Sequence, residues 1–315
     1  MDPLVSVCVP AFNMERYIGE ALESIACQTY TNFEVWVIDD GSTDGTADVM
    51  RPFLSDARFR YKYQDNAGLG AARQAALELS TGEWFALLDA DDLWLPDKLE
   101  RQMALAASDS RINLIYGDVY ISYDDGRPEH RYFSDIAMRE GDITDWLYER
   151  NYIPCPSAVV RIEELKRIGG FSLRRRCEDG ETWQKLALHG VWAKGCSEPV
   201  ARYRVRGDSL STNTILMLET AIEVREIGLS MEKRPCLAKI LRRTIRRLKG
   251  DLAFAHAKQA AGNDSAEFER SIWEMWRQHP AHWKTFLRAL QCSVSRLTHL
   301  DMGVRSYVEK IKSLY

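Results

Sequence analysis

From residue 4 onward the chain alternates short β-branched runs with stretches of helical spacing. Val5 to Val9 reads as a strand, and Tyr17 to Ala26 follows with Ile18, Ala21, Leu22 and Ile25 on one helical face. Phe33 to Ile38 predicts a second strand that ends at Asp39-Asp40-Gly41-Ser42, and Asp44 is placed to cap a helix carrying Val49, Met50 and Phe53. Phe59 to Tyr63 predicts a third strand, and Gly70 to Leu79 an alanine-rich helix. Trp84 to Leu88 then gives a fourth strand that stops at Asp89-Ala90-Asp91-Asp92. This β-α-β-α-β-α-β order predicts a mostly parallel sheet flanked by helices, with ligands beyond the carboxyl ends of its strands.

After Pro96 the pattern becomes α+β. A helix through Leu99, Met103 and Ala106 leads to a strand over Asn113 to Tyr123, a turn at Asp124-Asp125-Gly126 and a short helix near Asp145 to Arg150. Gly169-Gly170-Phe171 precedes a polar stretch that ends at Glu178-Asp179, and Thr182 to His189 is again helical. From Ile215 only helical spacing remains. The interruption near Arg206 to Asn213 predicts a boundary, with a catalytic α/β domain over 1–211 and a helical extension over 212–315.

Composition narrows the class. Apolar residues at 45% and charged residues at 28% of 315 fit a folded chain. A net charge of -4 gives no general affinity for nucleic acid. Seven cysteines (Cys8, Cys27, Cys155, Cys177, Cys196, Cys236 and Cys292) are odd in number and form no C-x-x-C pair. That argues against a disulfide framework or a zinc site and for a reducing compartment. No signal-like segment precedes the first strand, and no apolar run reaches the roughly 20 residues of a membrane helix. The expected location is the cytoplasm.

Three acidic clusters fall where elements end: Asp39-Asp40, Asp89-x-Asp91-Asp92 and Glu178-Asp179. Packed carboxylates repel one another unless a cation or donor groups offset them, so a D-x-D-D cluster after a buried strand predicts a divalent ion, Mn²⁺ or Mg²⁺. Such an ion leaves positions for substrate phosphates and neutralises charge on a departing diphosphate. Any one Asp pair could equally be a solvated turn.

Val5-Ser-Val-Cys-Val-Pro-Ala-Phe-Asn13, Gln28-Thr-Tyr-Thr-Asn-Phe-Glu34, Val37-Ile-Asp-Asp-Gly-Ser-Thr-Asp-Gly-Thr46, Asn66-x-Gly68, Gly82-Glu-Trp84 and Leu88-Asp-Ala-Asp-Asp92 follow one another in an order and spacing that resembles the family 2 glycosyltransferases. The resemblance covers residues 4 to about 211. It implies a GT-A nucleotide-diphospho-sugar transferase fold and transfer from a nucleotide sugar, a UDP-sugar first, with inversion. It also implies that Pro10, Phe12 and Asp40, with Asp39 close by, contact a pyrimidine. Asn66 to Arg73 is similar to the family's N-x-G-x-x-x-A-R-N segment, with Gln74 in place of the last Asn, and makes Arg73 a donor-binding candidate. Within Asp89-Ala-Asp-Asp92 it implies contacts to metal and to ribose or donor sugar. The expected main metal contact is Asp91, with Asp89 and Asp92 as its partners; Asp91 and Asp92 are the metal candidates, and Asp89 and Asp91 are donor candidates.

Glu178-Asp179 followed by Trp183 resembles the family's E-D-x-x-x-W segment. That makes Asp179 the general base of a single displacement and Glu178 and Trp183 acceptor-side candidates, with a core position for Trp183 equally open. Arg206 stands where many relatives carry His and is a diphosphate candidate, or an exposed loop arginine. The Q-x-x-R-W motif of processive members is missing, which favours transfer of single sugars to a glycan, lipid-linked or other acceptor, as in surface polysaccharide or glycoconjugate synthesis. A nucleotidyltransferase and a non-catalytic nucleotide-sugar-binding protein remain alternatives.

In the extension, Leu237, Ile240, Leu241, Ile245, Leu248 and Leu252 form an apolar stripe, with Lys239, Arg242, Arg243, Arg246, Arg247 and Lys249 around it. This basic amphipathic helix over 237–252 reads as packing on the catalytic domain, or as peripheral contact with the inner face of an anionic membrane. The aromatic run Trp273, Trp276, Trp283 and Phe286 is compatible with either. The oligomeric state does not follow from the sequence.

Overall fold

Strand β1 (Val5–Ala11) lies parallel between β2 (Phe33–Asp39) and β4 (Trp84–Leu87), and β2 pairs in parallel with β3 (Phe59–Tyr63). These are the first four runs of the sequence pattern, and β1 and β2 each continue past the run that marks them. Between them lie α1 (Ile18–Ala26), α2 (Thr46–Met50) with a 3₁₀ turn over Arg51–Ser55, and α3 (Leu69–Leu79). The computed structural model describes residues 2–173, 178–207 and 213–260.

The second half of the sheet is mixed. β5 (Leu93–Trp94), α4 (Lys98–Ser108), β6 (Leu114–Tyr123), β7 (His130–Arg131), α5 (Thr144–Glu149), β8 (Val159–Arg161), α6 (Ile162–Arg167), α7 (Glu178–His189) and β9 (Ala193–Val205) follow in order. Among the described residues one nine-stranded sheet has the order β3-β2-β1-β4-β8-β6-β9-β5, with β7 on β6. β8 runs antiparallel to β4 and β6, whereas β6 and β9 are parallel.

Both faces of the sheet are covered, so its central strands are buried on both sides and are mostly apolar rather than alternating, with Ser6 and Glu34 as buried polar exceptions joined by a hydrogen bond of 2.7 Å. Val5, Val7 and Val9 face α1 and α4 through Leu22, Ile25, Leu99 and Met103. Cys8, Phe85 and Leu87 face the opposite layer, where α3, α5 and α7 contribute Ala72, Trp146, Trp183 and Leu186.

Local details differ from the sequence pattern in two places. Gly45 occupies the N-cap position of α2, and Asp44 works one position earlier, accepting from the Thr46 N–H (3.0 Å) and the Glu15 N–H (3.1 Å). Helix α7 starts at Glu178, so the Glu-Asp pair forms its first turn instead of preceding it. A turn at Gly169-Gly170 is held when Gln74 Oε1 accepts from the Phe171 N–H at 2.9 Å. Gly170 has φ +74, and a Cβ there would collide with the Gln74 amide, so only glycine fits.

Two helices complete the described chain, α8 (Thr214–Met231) and α9 (Pro235–Ala260). The first compact unit runs from Met1 to Ile245 and the second from Arg246 to Tyr315. The first unit extends beyond the break expected near Arg206 to Asn213 because α8 is tied to the α/β layers. Gln184 Nε2 donates to the Val224 carbonyl, Arg225 Nε to the Tyr148 carbonyl (3.3 Å), and the Tyr148 hydroxyl to Glu232 (2.6 Å).

Along α9, Leu241, Ile245 and Leu248 of the apolar stripe are buried, while Lys239, Arg242, Arg243, Arg246 and Lys249 are exposed. Trp273, Trp276, Trp283, Phe286, Cys177 and Cys292 lie outside the described residues. The described cysteines are all free thiols. No described helix is long and apolar enough to cross a membrane.

Candidate active site

Three neighbouring parallel strands end on one edge of the sheet. Ala11 pairs with Asp39 and Cys8 with Leu87, so the exits of β1, β2 and β4 carry Phe12, Asp39-Asp40 and Asp89-Ala-Asp-Asp92 to the same place. The β1 exit is fastened to the β2 turn. Asn13, at φ 55, donates its N–H to Ser42 Oγ (2.9 Å), and its Oδ1 accepts from the Thr43 N–H (2.8 Å). Asn tolerates this left-handed backbone better than most residues.

The two aspartates of that turn are buried and engaged. Asp39 accepts from the Ser42 N–H (2.8 Å) and the Tyr61 hydroxyl (2.7 Å). Asp40 Oδ1 accepts from Gln64 Nε2 (2.7 Å) and the Ala67 N–H (3.0 Å), and Oδ2 from the Gly68 N–H (2.7 Å). Asp40 thereby fixes the loop that enters α3 at Gly68, with one lone pair of Oδ2 to spare. Pro10 is buried in β1, whereas Phe12, the residue just after β1, is 45% exposed.

Arg73 occupies the centre. It is 1% exposed, and its guanidinium reaches Asp89 (2.5 Å), Glu178 and Cys155 Sγ (3.0 Å). Burial works against its charge, but Asp89, Cys155 and Glu178 outweigh this and hold it firmly protonated. A guanidinium enclosed by these partners offers no face to a diphosphate, so Arg73 is placed as a tie between the β4 exit and the head of α7.

Around it the acids are unequal. Burial, reinforced by Asp89 and opposed by Arg206, raises the Asp91 carboxyl above its ordinary range. Asp92 is raised much further by burial and by the charges of Asp91 and Asp89. Its Oδ1 accepts the Arg204 N–H at 2.8 Å, fastening the end of β9 to the turn, and its Oδ2 meets no donor. Glu178 is pushed up to about 7 by burial and by the charge of Asp179, against the pull of Arg73.

Asp179 stands in the first turn of α7, where the free N–H groups favour negative charge. It accepts from Asn151 Nδ2 (3.0 Å) and the Gly180 N–H (2.6 Å). Trp183, one turn on, is 1% exposed inside the core and has no face for a sugar. Arg206 closes the opposite side, pairing with Asp91 at 2.9 Å and lying 4.8 Å over the Tyr17 ring.

Asn151, Cys155 and Gln64 are partners that the sequence pattern does not single out. Each acts from a loop or turn joined to the site only through tertiary structure.

Among the described residues no trio of His, Cys, Asp or Glu forms a ready-made ion cage. The Asp89-Asp91-Asp92 turn nevertheless carries surplus negative charge, and Asp92 keeps a buried carboxylate oxygen without a donor. This suits an ion that takes one or two carboxylates from protein and the rest of its oxygens from phosphate.

Residues 6–176 match the family described as Glycosyl transferase family 2. TuaG of Bacillus subtilis (strain 168), provisionally named a teichuronic acid biosynthesis glycosyltransferase, is 33% identical over 213 residues, which cover 67% of this chain and 82% of TuaG. The chain spans about a third of the length of several other curated relatives, 30% and 35% for two uncharacterised Rickettsia glycosyltransferases. Among solved structures, S. aureus TarS 1–349 in complex with UDP-GlcNAc gives a TM-score of 0.68 at 20% identity, covering 88% of this chain and 81% of that one. The mannosyltransferase PcManGT from Pyrobaculum calidifontis, in complex with GDP-Man and Mn²⁺, gives 0.64 at 21%, covering 100% and 81%. Both share the GT-A fold with this chain. With strand exits, acidic turns and matched segment in agreement, the chain belongs to glycosyl transferase family 2 and is a glycosyltransferase.

Proposed function

We propose that the protein transfers a single sugar from a nucleoside diphosphate donor, a UDP-sugar first, to an acceptor hydroxyl with inversion at the anomeric carbon. The observation that carries this reading is Arg73, which binds Asp89 of the strand-exit turn and Glu178 of α7 at once. It joins the acidic turn at the β4 exit to the head of α7, which carries a separate carboxylate, Asp179. Direct displacement needs those two elements, a place for the leaving diphosphate and a base to take the acceptor's proton.

In this reading Phe12 packs on the base, beside Pro10 and the Asp39-Asp40 turn. Asp91, less deeply buried than Asp92, is the first contact of Mn²⁺ or Mg²⁺. Such an ion, when bound, neutralises charge on the departing diphosphate. Asn151 and the Gly180 N–H hold Asp179 in position, and Glu178 shapes the acceptor side next to it. The likeness to TuaG supports a glycan or lipid-linked acceptor in surface polysaccharide synthesis. The exposed basic face of α9 supports peripheral contact with the inner face of an anionic membrane, and hence a cytoplasmic location. The division into a catalytic domain over 1–211 and a helical extension belongs to the same proposal.

A panel of UDP-, GDP- and TDP-sugars tests it by thermal shift and by product analysis. One donor, UDP-linked in this account, stabilises the protein with Mn²⁺ and much less in EDTA, and turnover releases the nucleoside diphosphate. Equal stabilisation in EDTA would remove the metal, and release of pyrophosphate would make the protein a nucleotidyltransferase.

A further inference from the structure

Each acid of the strand-exit turn has its own counterpart. Asp89 is held by Arg73 from the core, and Asp92 is buried under the backbone of Arg204. Asp91 is different, because its partner comes from the open side. Arg206 is the residue just after β9, and its guanidinium pairs with Asp91 Oδ2 at 2.9 Å. The two side chains are 11% and 17% exposed, so the pair lies at the mouth of the site rather than in the core.

Arg206 rests on Tyr17 at 4.8 Å, a ring it shares with Arg204 at 4.8 Å, and Arg204 is itself tied to Glu20 at 2.8 Å. Tyr17 thus gives Arg206 an aromatic surface over which it can pivot while Arg204 and Asp92 hold the end of β9 in place.

We propose, on the reading that Asp91 contacts the ion, that Arg206 is a placeholder cation: it neutralises Asp91 in the donor-free protein and must leave when the metal-bound donor arrives. A divalent ion sits about 2.0–2.2 Å from a carboxylate oxygen and repels a guanidinium held on the same atom. The two cations therefore compete for Asp91. Once displaced, Arg206 lies beside the incoming diphosphate, the nearest new anion, and closes on it. The exchange makes the ion bind weakly alone and strongly with donor, so the acidic turn stays neutralised without holding a metal that has no substrate.

The test uses the full-length protein and Mn²⁺ as probe, measured by titration calorimetry or by the electron paramagnetic resonance of the free ion. Arg206→Gln is expected to bind Mn²⁺ alone at least about threefold more tightly than the parent, the scale of one partly exposed ion pair. With UDP present the order reverses, and the variant binds the Mn²⁺–UDP pair more weakly. Arg202→Gln changes net charge equally but loses the exposed pair with Glu129 and a contact with the Tyr120 ring, neither involving Asp91, and is expected to match the parent. Adding Asp91→Asn to either form should erase the difference between them. Unchanged or weaker Mn²⁺ binding by Arg206→Gln, or an equal gain in Arg202→Gln, would overturn the placeholder while leaving the metal reading intact. Failure of every form to bind Mn²⁺ even with UDP would overturn both.

Discussion

Removing the Arg73 guanidinium is expected to destabilise the protein in a way that a second substitution partly repairs. Arg73→Gln keeps much of the side chain's length but leaves Glu178 (4% exposed side chain) and Asp89 (24%) without their common cation. Breaking a buried ion pair from one side costs about 3–5 kcal/mol, because the remaining charge stays desolvated. Glu178, the more buried of the two, carries most of that penalty, either as a desolvated charge or by taking up a proton. Glu178→Gln alone orphans the guanidinium less, since Asp89 still holds it. In the double variant no unpaired charge remains at that position, so about half of the loss or more should return, appearing as a favourable coupling of about 1–3 kcal/mol. Chemical denaturation of the parent, both single variants and the double variant gives the four values. A loss below about 1 kcal/mol for Arg73→Gln, or strict additivity in the double variant, would refute the claim that this arginine is a buried tie between two acidic motifs.

Two further outcomes follow from other parts of the molecule. Lys98 is fully buried, donates to Gln102 Oε1 (2.6 Å) and lies 4.3 Å from the Trp94 ring, and burial lowers its ammonium from 10.5 to about 7. Between those values the unfolded chain binds more protons than the folded one, so stability should rise with pH above about 7, by up to about 1.4 kcal/mol per unit, and level off below. Thermal unfolding of Lys98→Met from pH 6 to 9 should lack that rise, and parallel profiles would contradict it. Reversing Arg242, Arg243, Arg246 and Arg247 to Glu should abolish salt-sensitive binding to anionic vesicles while leaving transfer to a soluble acceptor nearly intact; no binding by the parent would return α9 to a packing role.

The parallel half of the fold was legible because β1, β2 and β4 are buried on both faces, which writes them as mostly apolar runs, with Asp at the exits of β2 and β4. β5 and β8 were not, since two- and three-residue strands are too short to show a period. β9 carries Lys194, Arg202 and Arg204 among its thirteen residues and takes its strand form from pairing with β6. The acidic clusters and Asp179 could be read from the family pattern.

What tertiary structure alone supplies is the placing of charge. An arginine in a helix reads as exposed, and Arg73 is buried only because carboxylates 16 and 105 positions away converge on it. For the same reason Asn151, 28 positions from Asp179, has no local signature. Trp183 had two equal readings on spacing, and its burial among the residues of the α7 layer decides for packing.

The most direct test of the proposed chemistry is the turnover of Asp179→Asn with the donor and acceptor that the parent uses. The substitution preserves size and can keep one of the two hydrogen bonds that Asp179 accepts, but removes the group that accepts the acceptor's proton. The account predicts a fall in kcat of roughly 10² to 10⁴ with donor affinity within about twofold of the parent. Near-normal turnover by this variant would contradict the assignment of Asp179 as the base of a single displacement.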